Sequence, residues 1–594
     1  MAELTSQPTT IQSLYAMYSD NLLYVNRRYQ RKLVWTLEEK QKLIESILKK
    51  YPIPAILIAE REESPGTYEI IDGLQRLHAI MSFIETSFSD TRGSMFSLEH
   101  FPSAKRRADE GAFTPNESEI YLTQREVGTI LDYPFAMSVM RGATEDEIND
   151  VFGRINTYGH RLSDQERRQA GIQNSFSELV RSIACTLRGD ESHEILPLNL
   201  MPSISIDLPK TKHGYLVQAD EVFWVEHGIL RSTELRDSID EQCIADIAAC
   251  IVGGQLIERS KEALDVIYTS DSPESDRILA ALEVYGAERL SDELKYCIAQ
   301  ILEVCASGNP EKPKPEKLRN IIFKTKSTNP FPAAFAVVLI AFHEIIVKDN
   351  MIITDYNGIR EAIFDLTERI GKGQGATSAA QRRKNINSVK GLISEFFTPA
   401  QPAPPIYGNH AIADIDSLLR RSEVEQSDFE FKQGILSLSP DRKIDPGILQ
   451  KIHETLCAIA NNGPQRTGKL IIGVSDKPAD TERVARLDKV SAKKVGKRDV
   501  VGINREARIL NISTEDYFIK IKESIKQAAL SEPLKTSVLS HIDYNPYFGL
   551  GIIVITIPPQ QDVSYYNEHL YWRTGDSTTE AKTAKEVAAV AKRF

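Results

Sequence analysis

Two short stretches concentrate side chains that can act on a phosphodiester. The first is Glu425-Gln-Ser-Asp-Phe-Glu-Phe-Lys432, and the second is Gly468-Lys-Leu-Ile-Ile-Gly-Val-Ser-Asp476. Phe429 and Phe431 alternate with Glu430 and Lys432, the period-two pattern of a half-buried strand. Leu470 to Val474 reads as a buried strand that ends on the polar step Ser475-Asp476. If the two strands pair, Glu425, Glu430 and Asp476 converge. Three carboxylates beside Lys432 suit a hard divalent cation such as Mg²⁺ or Mn²⁺, and such an ion suits phosphodiester cleavage. The same residues also read as a solvated strand edge followed by a turn aspartate, and spacing alone leaves both readings open.

A second constellation lies near the N-terminus. The strand Thr67-Tyr-Glu-Ile-Ile71 runs directly into Asp72-Gly73-Leu74-Gln75-Arg76, and a helix follows over Leu77 to Glu85. A strand, a turn glycine and a helix start form an anion site, because unpaired N–H groups and the helix dipole face the ligand. Arg76 can add a bidentate phosphate contact, and Asp72 can hold a metal or accept a proton. The plainer reading is an ordinary strand-to-helix turn with Asp72 capping and Arg76 solvated. His78 follows on the helix, where a lone histidine more often packs than reacts.

The elements that must position these groups are legible in outline. Residues 11 to 20 read as a short helix. Tyr29 to Trp35, which includes Arg31, is a loop rich in basic and aromatic groups. Thr36 with Glu39 spells a capping box for a helix over Leu37 to Lys50, and Pro52-Ile-Pro54 ends it. Ala55 to Ala59 reads as a strand. Residues 175 to 397 read as mainly helical, without repeats. Thr398-Pro-Ala-Gln-Pro-Ala-Pro-Pro405 reads as an extended, semi-rigid linker. Beyond it, helices are expected over Ile415 to Arg421, Ile448 to Asn461 and Tyr517 to Leu530. Strands are expected over Ser537 to Tyr544 and Gly551 to Ile557, with Gly502 to Ile509 a strand or loop. Tyr571-Trp572-Arg573 either stacks on bases or anchors a terminal strand.

The chain has 594 residues, 41% of them hydrophobic and 26% charged, which is long enough for several cores. A net charge of -11 argues against a protein coated for nucleic acid but leaves room for a local basic groove. Candidates for such a groove are Lys489 to Arg508, Lys312 to Lys324 and Lys372 to Lys390, each of which also reads as a solvated surface. None of the six cysteines forms a Cys-x-x-Cys pair, which argues against a zinc site and fits cytosolic usage. The first residues lack a signal-peptide pattern, and the longest apolar run, Phe331 to Phe342, is too short to span a bilayer. A cytoplasmic protein without a membrane partner is therefore expected.

Two resemblances sharpen this reading. Glu425-x4-Glu430-Phe-Lys432, the helix reaching Asn461-Asn-Gly463, Gly468 to Asp476 and the ending Tyr571-Trp-Arg573-Thr-Gly575-Asp-Ser577-Thr resemble the Schlafen AlbA_2 domain over about residues 415 to 585. The resemblance implies that Glu425, Glu430 and Asp476 hold a catalytic metal. Pro464-Gln-Arg-Thr stretches the family's compact Asn-x-x-Gly-Gly turn. Tyr29-Gln-Arg31…Trp35, Ile53-Pro54 and Ile71-Asp-Gly-Leu-Gln-Arg76 are similar to the DUF262 family. That family is related to the ParB/sulfiredoxin fold and is found in the GmrS-type half of modification-dependent restriction enzymes. Leu74 departs from that family's Asp-Gly-Gln-Gln-Arg signature. Phe152-Gly-Arg154-Ile-Asn156-Thr and Leu162-Ser163-x-Gln165-Glu166-x-Arg168 match its second motif. This resemblance implies binding and hydrolysis of ATP or GTP, with Asp72, Gln75 and Arg76 central and Arg31, Gly73 and Asn156 as further ligand contacts. On the residues alone, Asn156 is a turn residue, and Glu166 and Arg168 lie on an exposed helix face.

The expected architecture is therefore α+β and multidomain. A ParB/sulfiredoxin-like domain spans residues 10–180, a helical extension 181–397, a Pro-rich linker 398–410 and a Schlafen AlbA_2-like α/β domain 411–594. The expected function is a prokaryotic defence-type effector that couples an NTPase or a sensor of modified nucleic acid to a metal-dependent nuclease acting on RNA or DNA. A non-catalytic nucleic-acid- or nucleotide-binding regulator, or a nuclease centre in the first domain, are the alternatives. The chain's partners are then nucleic acid, NTP and, in a homo-oligomer, further copies of itself.

Overall fold

The structure is a computed structural model. It describes residues 3–27, 32–158, 163–171, 174–190, 194–201, 204–205, 217–307, 316–324, 327–371, 377–400, 415, 418–419, 426–464, 466–475, 477–495, 498–545, 547, 549–575 and 577–594. The chain divides into two compact units, Met1–Tyr407 and Gly408–Phe594.

The first unit is built on a mixed six-stranded sheet. In chain order its elements are β1 (Glu3–Thr10), α1 (Ile11–Ser19), β2 (Leu23–Asn26), α2 (Leu37–Leu48), β3 (Ile56–Glu60), β4 (Tyr68–Asp72) and α3 (Leu74–Ile84). They continue with α4 (Pro102–Asp109), α5 (Gln124–Leu131), β5 (Pro134–Arg141), α6 (Glu145–Tyr158), α7 (Asp164–Gly171), α8 (Ser175–Arg188) and β6 (Ile195–Pro197). The strand order is β1-β5-β3-β4-β2-β6. Strand alternation sends Ile56, Ile58 and Ile70 to one face, where they meet Leu14, Tyr15, Ile44, Ile47, Leu77 and Ile80. Leu57, Ala59 and Ile71 face the other way, against Ile148, Val151 and Phe152 of α6. Each fully buried Leu, Ile or Phe contributes about 1.5–3 kcal/mol.

Local chemistry sets the ends of these elements. The Thr36 hydroxyl accepts from the Glu39 amide at 3.2 Å, and Glu39 accepts from the Thr36 amide at 2.8 Å, which is the expected capping box. The strand expected over Ala55 to Ala59 is β3, and the one over Thr67 to Ile71 is β4. β1, β2 and β5 were not anticipated. Helix α3 begins at Leu74, three residues earlier than expected. Gly73 sits in the left-handed region at φ +97, and a Cβ there would stand 3.0 Å from Ile56 Cγ1. The turn between β4 and α3 thus needs no intervening loop.

Among the described residues the remainder of the first unit is mainly helical, with Ile239–Val252, Ala287–Ala306 and Pro332–His343 among its helices. Two minor sheets accompany them, β7 (Ile204–Ser205) with β8 (Val217–Gln218), and β9 (Met351–Ile353) with β10 (Phe397–Pro399). β10 takes up the first residues of the expected linker, and 401–405 lie outside the described residues. A buried charge cluster ties the sheet to these helices. Arg27, just past β2, pairs with Asp190 at 2.9 Å. Arg188 pairs with Asp190 at 3.0 Å, Asp240 at 2.5 Å and Glu241 at 3.0 Å. Such a cluster holds because each cation meets carboxylates at hydrogen-bond distance. Among the described residues no helix is long and apolar enough to cross a membrane.

The second unit has a four-stranded sheet of order β11-β12-β17-β16, made of β11 (Phe429–Lys432), β12 (Gly468–Ile472), β16 (Ile542–Asn545) and β17 (Ile552–Ile557). A smaller sheet of order β13-β15-β14 joins β13 (Val474–Ser475), β14 (Lys493–Val495) and β15 (Arg498–Val500). A hairpin pairs β18 (Tyr571–Thr574) with β19 (Ser577–Glu580). The strand expected over Leu470 to Val474 is split at Gly473. That residue adopts φ +108, and a Cβ there would lie 3.1 Å from the Gly551 carbonyl. Gly473 passes the chain from one sheet to the other. Two further expectations change. Leu534–Ser540 is a helix that precedes β16, because Leu534 and Val538, four apart, both enter the core. Asn504–Ile509 is a helix rather than a strand or loop.

Candidate functional site

β11 lies at the sheet's edge and runs parallel to β12, with Glu430 opposite Leu470 and Lys432 opposite Ile472. Phe429 and Phe431 enter a core with Ile471, Val474 and Val554, so alternation turns Glu430 and Lys432 to the other face. There Glu430 is held by two cations. One carboxylate oxygen accepts from Lys432 Nζ, and the other lies 2.8 Å from Arg573 Nη1. Arg573 also donates to the Phe429 carbonyl at 3.0 Å and to Thr578 Oγ1 at 3.0 Å. Its side chain is 1% exposed, against 18% for Glu430 and 20% for Lys432. Of the two readings of Tyr571-Trp572-Arg573, the contacts of Arg573 are those of an anchor that fastens the β18–β19 hairpin to β11.

The turn after the helix Pro446–Ala460 closes on the same strand. Asn461 is fully buried. It donates to the Ser564 and Tyr571 carbonyls at 2.9 and 2.8 Å and accepts from the Ser564 amide at 2.8 Å. Asn462 donates to the Ser427 carbonyl and to Asp428 Oδ1, both at 2.8 Å. The stretched turn therefore still lets β12 pair with β11, and it delivers Arg466 to within 3.4 Å of Asp428.

Of the three carboxylates expected to share a metal, Glu430 is described and Glu425 and Asp476 lie outside the described residues. Among the described residues no group of three or more His, Cys, Asp or Glu side chains is gathered for a metal. The oxygen-only donor set is chemically suited to Mg²⁺ or Mn²⁺. Each oxygen of Glu430 meets one cation and keeps a further lone pair, so an ion bound there would share the carboxylate with Lys432 and Arg573.

In the first unit, Asp72 closes β4 and Arg76 lies one turn into α3, with 2.8 Å between Asp72 Oδ2 and Arg76 Nη2. Arg76 is not solvated. It donates to the Pro54 and Ala55 carbonyls at 2.5 and 3.0 Å. Gln75 is equally occupied, accepting from the Val34 and Trp35 amides at 3.1 and 3.3 Å and donating to the Lys32 carbonyl at 2.6 Å. Gln75 and Arg76 thus fix the segments 32–35 and 54–55 around the Asp72–Gly73 turn, and the Asp72 carboxylate, 39% exposed, keeps the most open face. Lys32 extends the connection by donating to the Leu235 carbonyl at 2.5 Å and Ser238 Oγ at 2.7 Å. Burial, with the Lys40 charge second, pushes the His78 imidazole well below the usual histidine range, so it is neutral at pH 7. Arg31 lies outside the described residues. Asn156 falls within α6, but its side chain is not described.

Several polar residues do more than sequence reading assigned them. Arg168 is not on an exposed face. It is buried, with Asp265 at 2.7 Å, the Lys261 carbonyl at 3.2 Å and Gln165 Oε1 at 3.1 Å. Glu166 caps α7, accepting from the Ser163 amide at 2.9 Å. In the basic stretch Lys372 to Lys390, Arg382 forms a bidentate pair with Asp246, with both contacts at 2.8 Å. Arg383 pairs with Glu344 at 2.7 Å, and Lys390 with Asp349 at 3.1 Å. These cations are neutralised internally. In Lys489 to Arg508, Arg505 is buried against Asp488.

Comparison with known proteins finds two matched segments. Residues 11–173 match the family model described as GmrSD restriction endonuclease, N-terminal domain, and residues 425–582 match the one described as Schlafen, AlbA_2. No curated protein matches the chain. One polypeptide therefore joins a segment similar to the GmrSD N-terminal domain to a segment similar to Schlafen AlbA_2.

Proposed function

We propose that the chain is a defence-type effector whose second unit cleaves RNA or DNA under the control of its first. The observation that carries this reading is Glu430. It lies on an edge strand, at the position the Schlafen resemblance assigns to a metal ligand, inside a frame built by Lys432, Arg573 and Asn462. Glu425 and Asp476 would complete the ligand set. When bound, a divalent ion would activate water and offset charge on the scissile phosphate. Arg573 holds the Glu430 carboxylate in place, and the Lys432 ammonium beside it would help offset the phosphate charge.

The first unit, in this reading, has a ParB-like fold over about residues 10–180 and takes ATP or GTP, or a modified nucleic acid, at the Asp72–Gly73 turn. Asp72 acts there, while Gln75 and Arg76 keep the surrounding segments in register. Mixed substrates (tRNA, single-stranded RNA, plasmid DNA and modified phage DNA) incubated with Mg²⁺ or Mn²⁺, with and without ATP and GTP, test the proposal. Asp72→Ala is expected to remove nucleotide hydrolysis and the nucleotide dependence of cleavage. Intact hydrolysis in that variant would refute the first site.

One observation favours a second reading. Both Glu430 oxygens are satisfied without a metal, as in a module that only binds nucleic acid or nucleotide. Nucleic-acid binding that is unaffected by chelation and by neutralising the carboxylates, with no cleavage of any substrate, would support it.

A further inference from the structure

The second unit buries a charge network at the C-terminal end of β11. Arg442 and Arg505 both pair with Asp488, which closes the helix Pro478–Asp488 that follows β13. Arg505 also lies 3.3 Å from Glu506, and Arg442 lies 3.8 Å from it. The four side chains are at most 6% exposed, and their two positive and two negative charges balance.

The contacts of this network converge on the segment directly after Lys432. Arg505 Nη2 donates to Gln433 Oε1 at 2.5 Å and to the Gln433 carbonyl. Glu506 accepts from the Ile435 amide at 2.8 Å, from the Leu436 amide at 3.3 Å and from the Tyr517 hydroxyl at 2.7 Å. Gly434 lies between these contacts. A Cβ there would overlap the Glu506 carboxylate, so the position admits only glycine while Glu506 stays in place. Lys432 is tied to the same frame through its main chain. Its carbonyl accepts from the Gly473 amide at 2.8 Å, and the Gly473 carbonyl accepts from the Val501 and Gly502 amides at 2.9 and 2.8 Å. Arg505 and Glu506 follow at once, in the helix Asn504–Ile509.

Buried charges are costly to desolvate, and apolar side chains of similar volume would pack these helices without that cost. What the charges add is direction. A guanidinium fork and a carboxylate fix the donors and acceptors they meet. Here they meet the main chain of residues 433, 435 and 436. That backbone is continuous with Lys432, and strand alternation sets the Lys432 and Glu430 side chains from it. Arg573 fixes the same strand from its other end, through the Phe429 carbonyl and the Glu430 carboxylate.

We propose that Arg505 and Glu506 are positioning residues for the candidate nuclease centre. They act through the backbone of residues 433–436, holding the end of β11 so that Glu430 and Lys432 keep a fixed geometry toward metal and phosphate. This rests on the reading that β11 carries a metal-dependent nuclease centre.

The test compares the full-length protein with three variants, at temperatures where each is folded. Gly434→Ala keeps every charge and displaces the Glu506 carboxylate. Arg505→Met removes the fork from Gln433; if it fails to fold, Gly434→Ala still decides the question. Leu534→Ala is the stability control, because Leu534 is fully buried on the helix that leads into β16, the sheet edge opposite β11. The measurements are the denaturation midpoint, Mn²⁺ affinity by calorimetry, and kcat and KM on single-stranded RNA and plasmid DNA. Gly434→Ala and Arg505→Met are expected to weaken Mn²⁺ binding and to lower kcat about 10- to 100-fold, with KM little changed. Leu534→Ala is expected to lower the midpoint and to keep both Mn²⁺ affinity and kcat. Site variants that lower the midpoint but keep wild-type Mn²⁺ affinity and kcat would make the network merely structural and overturn the proposal, leaving the nuclease reading intact. An equal loss of Mn²⁺ affinity in Leu534→Ala would also overturn it. Wild-type protein that neither binds Mn²⁺ nor cuts either substrate would sink the nuclease reading, and the proposal with it.

Discussion

Replacing Arg573 with alanine should weaken the second unit and release Glu430 from its geometry. Arg573 is 1% exposed, and its contacts include Glu430 at 2.8 Å, the Phe429 carbonyl at 3.0 Å and Thr578 Oγ1 at 3.0 Å. At an effective dielectric of ~20, the gross Arg573–Glu430 attraction is about 6 kcal/mol. Desolvation of the guanidinium takes back most of that, leaving about 1.5–3 kcal/mol for a charge-assisted hydrogen bond. Truncation also removes the hydrogen bond to the Phe429 carbonyl and leaves Glu430 short of its buried partner, so Arg573→Ala should cost about 3–5 kcal/mol in total. The assay is a double-mutant cycle of Arg573→Ala and Glu430→Ala by urea denaturation, with the unfolding of the second unit followed by hydrogen exchange at the β11 and β18 amides. A coupling energy of about 2 kcal/mol is expected. Because Lys432 still contacts Glu430, the coupling measures only the Arg573 share. A coupling below ~0.5 kcal/mol would mean that the hairpin does not position Glu430 and would refute the reasoning.

Other perturbations separate the roles of neighbouring groups. Gln75→Leu removes three hydrogen bonds to backbone and should cost the first unit about 3 kcal/mol, read as a lower denaturation midpoint; an unchanged midpoint would mean that segment 32–35 is held by other contacts. Lys432→Met removes the ammonium seated on Glu430 and should tighten Mn²⁺ binding about tenfold by calorimetry, while slowing cleavage. Weaker Mn²⁺ binding would show that the Lys432 charge does not oppose the ion. Burial pushes the His453 imidazole down to about 4, so the folded state favours its neutral form. The stability this group contributes is complete above its unfolded value near 6.5 and is lost as pH falls from there toward 4, by about 2–3 kcal/mol. His453→Gln should flatten the pH dependence of unfolding in that window, and an unflattened profile would assign the acid sensitivity to other groups.

The parts of this fold legible in the sequence are those whose causes are local. The Thr36–Glu39 box is written in residues three apart, and the β11 alternation in four consecutive residues. The Pro446–Ala460 helix shows its apolar face at Leu449, Ile452, Leu456 and Ile459. Strand β1 was illegible because Glu3–Thr10 is almost wholly polar or exposed and exists as a strand through its pairing with β5. Ser537 to Tyr544 looked like a strand because β-branched Val538 lies in it, but packing of Leu534 and Val538 on one face made its first part helical. The charged residues were the hardest to place. Arg168 finds Asp265, and Glu430 finds Arg573, across 97 and 143 residues, and no local pattern encodes either pair. Gln75 and Arg76 were legible as a motif, but their backbone partners were not, so their scaffolding role emerged only from the fold.

The central claim is that Glu430 belongs to a metal-dependent nuclease centre. The most direct test compares full-length wild-type protein with Glu430→Gln on the mixed RNA and DNA substrates, titrating Mn²⁺ and measuring Mn²⁺ binding on the same samples. The account predicts metal-dependent cleavage by the wild type, and loss of both cleavage and tight Mn²⁺ binding in Glu430→Gln with folding retained. Cleavage that persists in Glu430→Gln at wild-type rate and metal dependence would contradict it and move the chemistry away from β11.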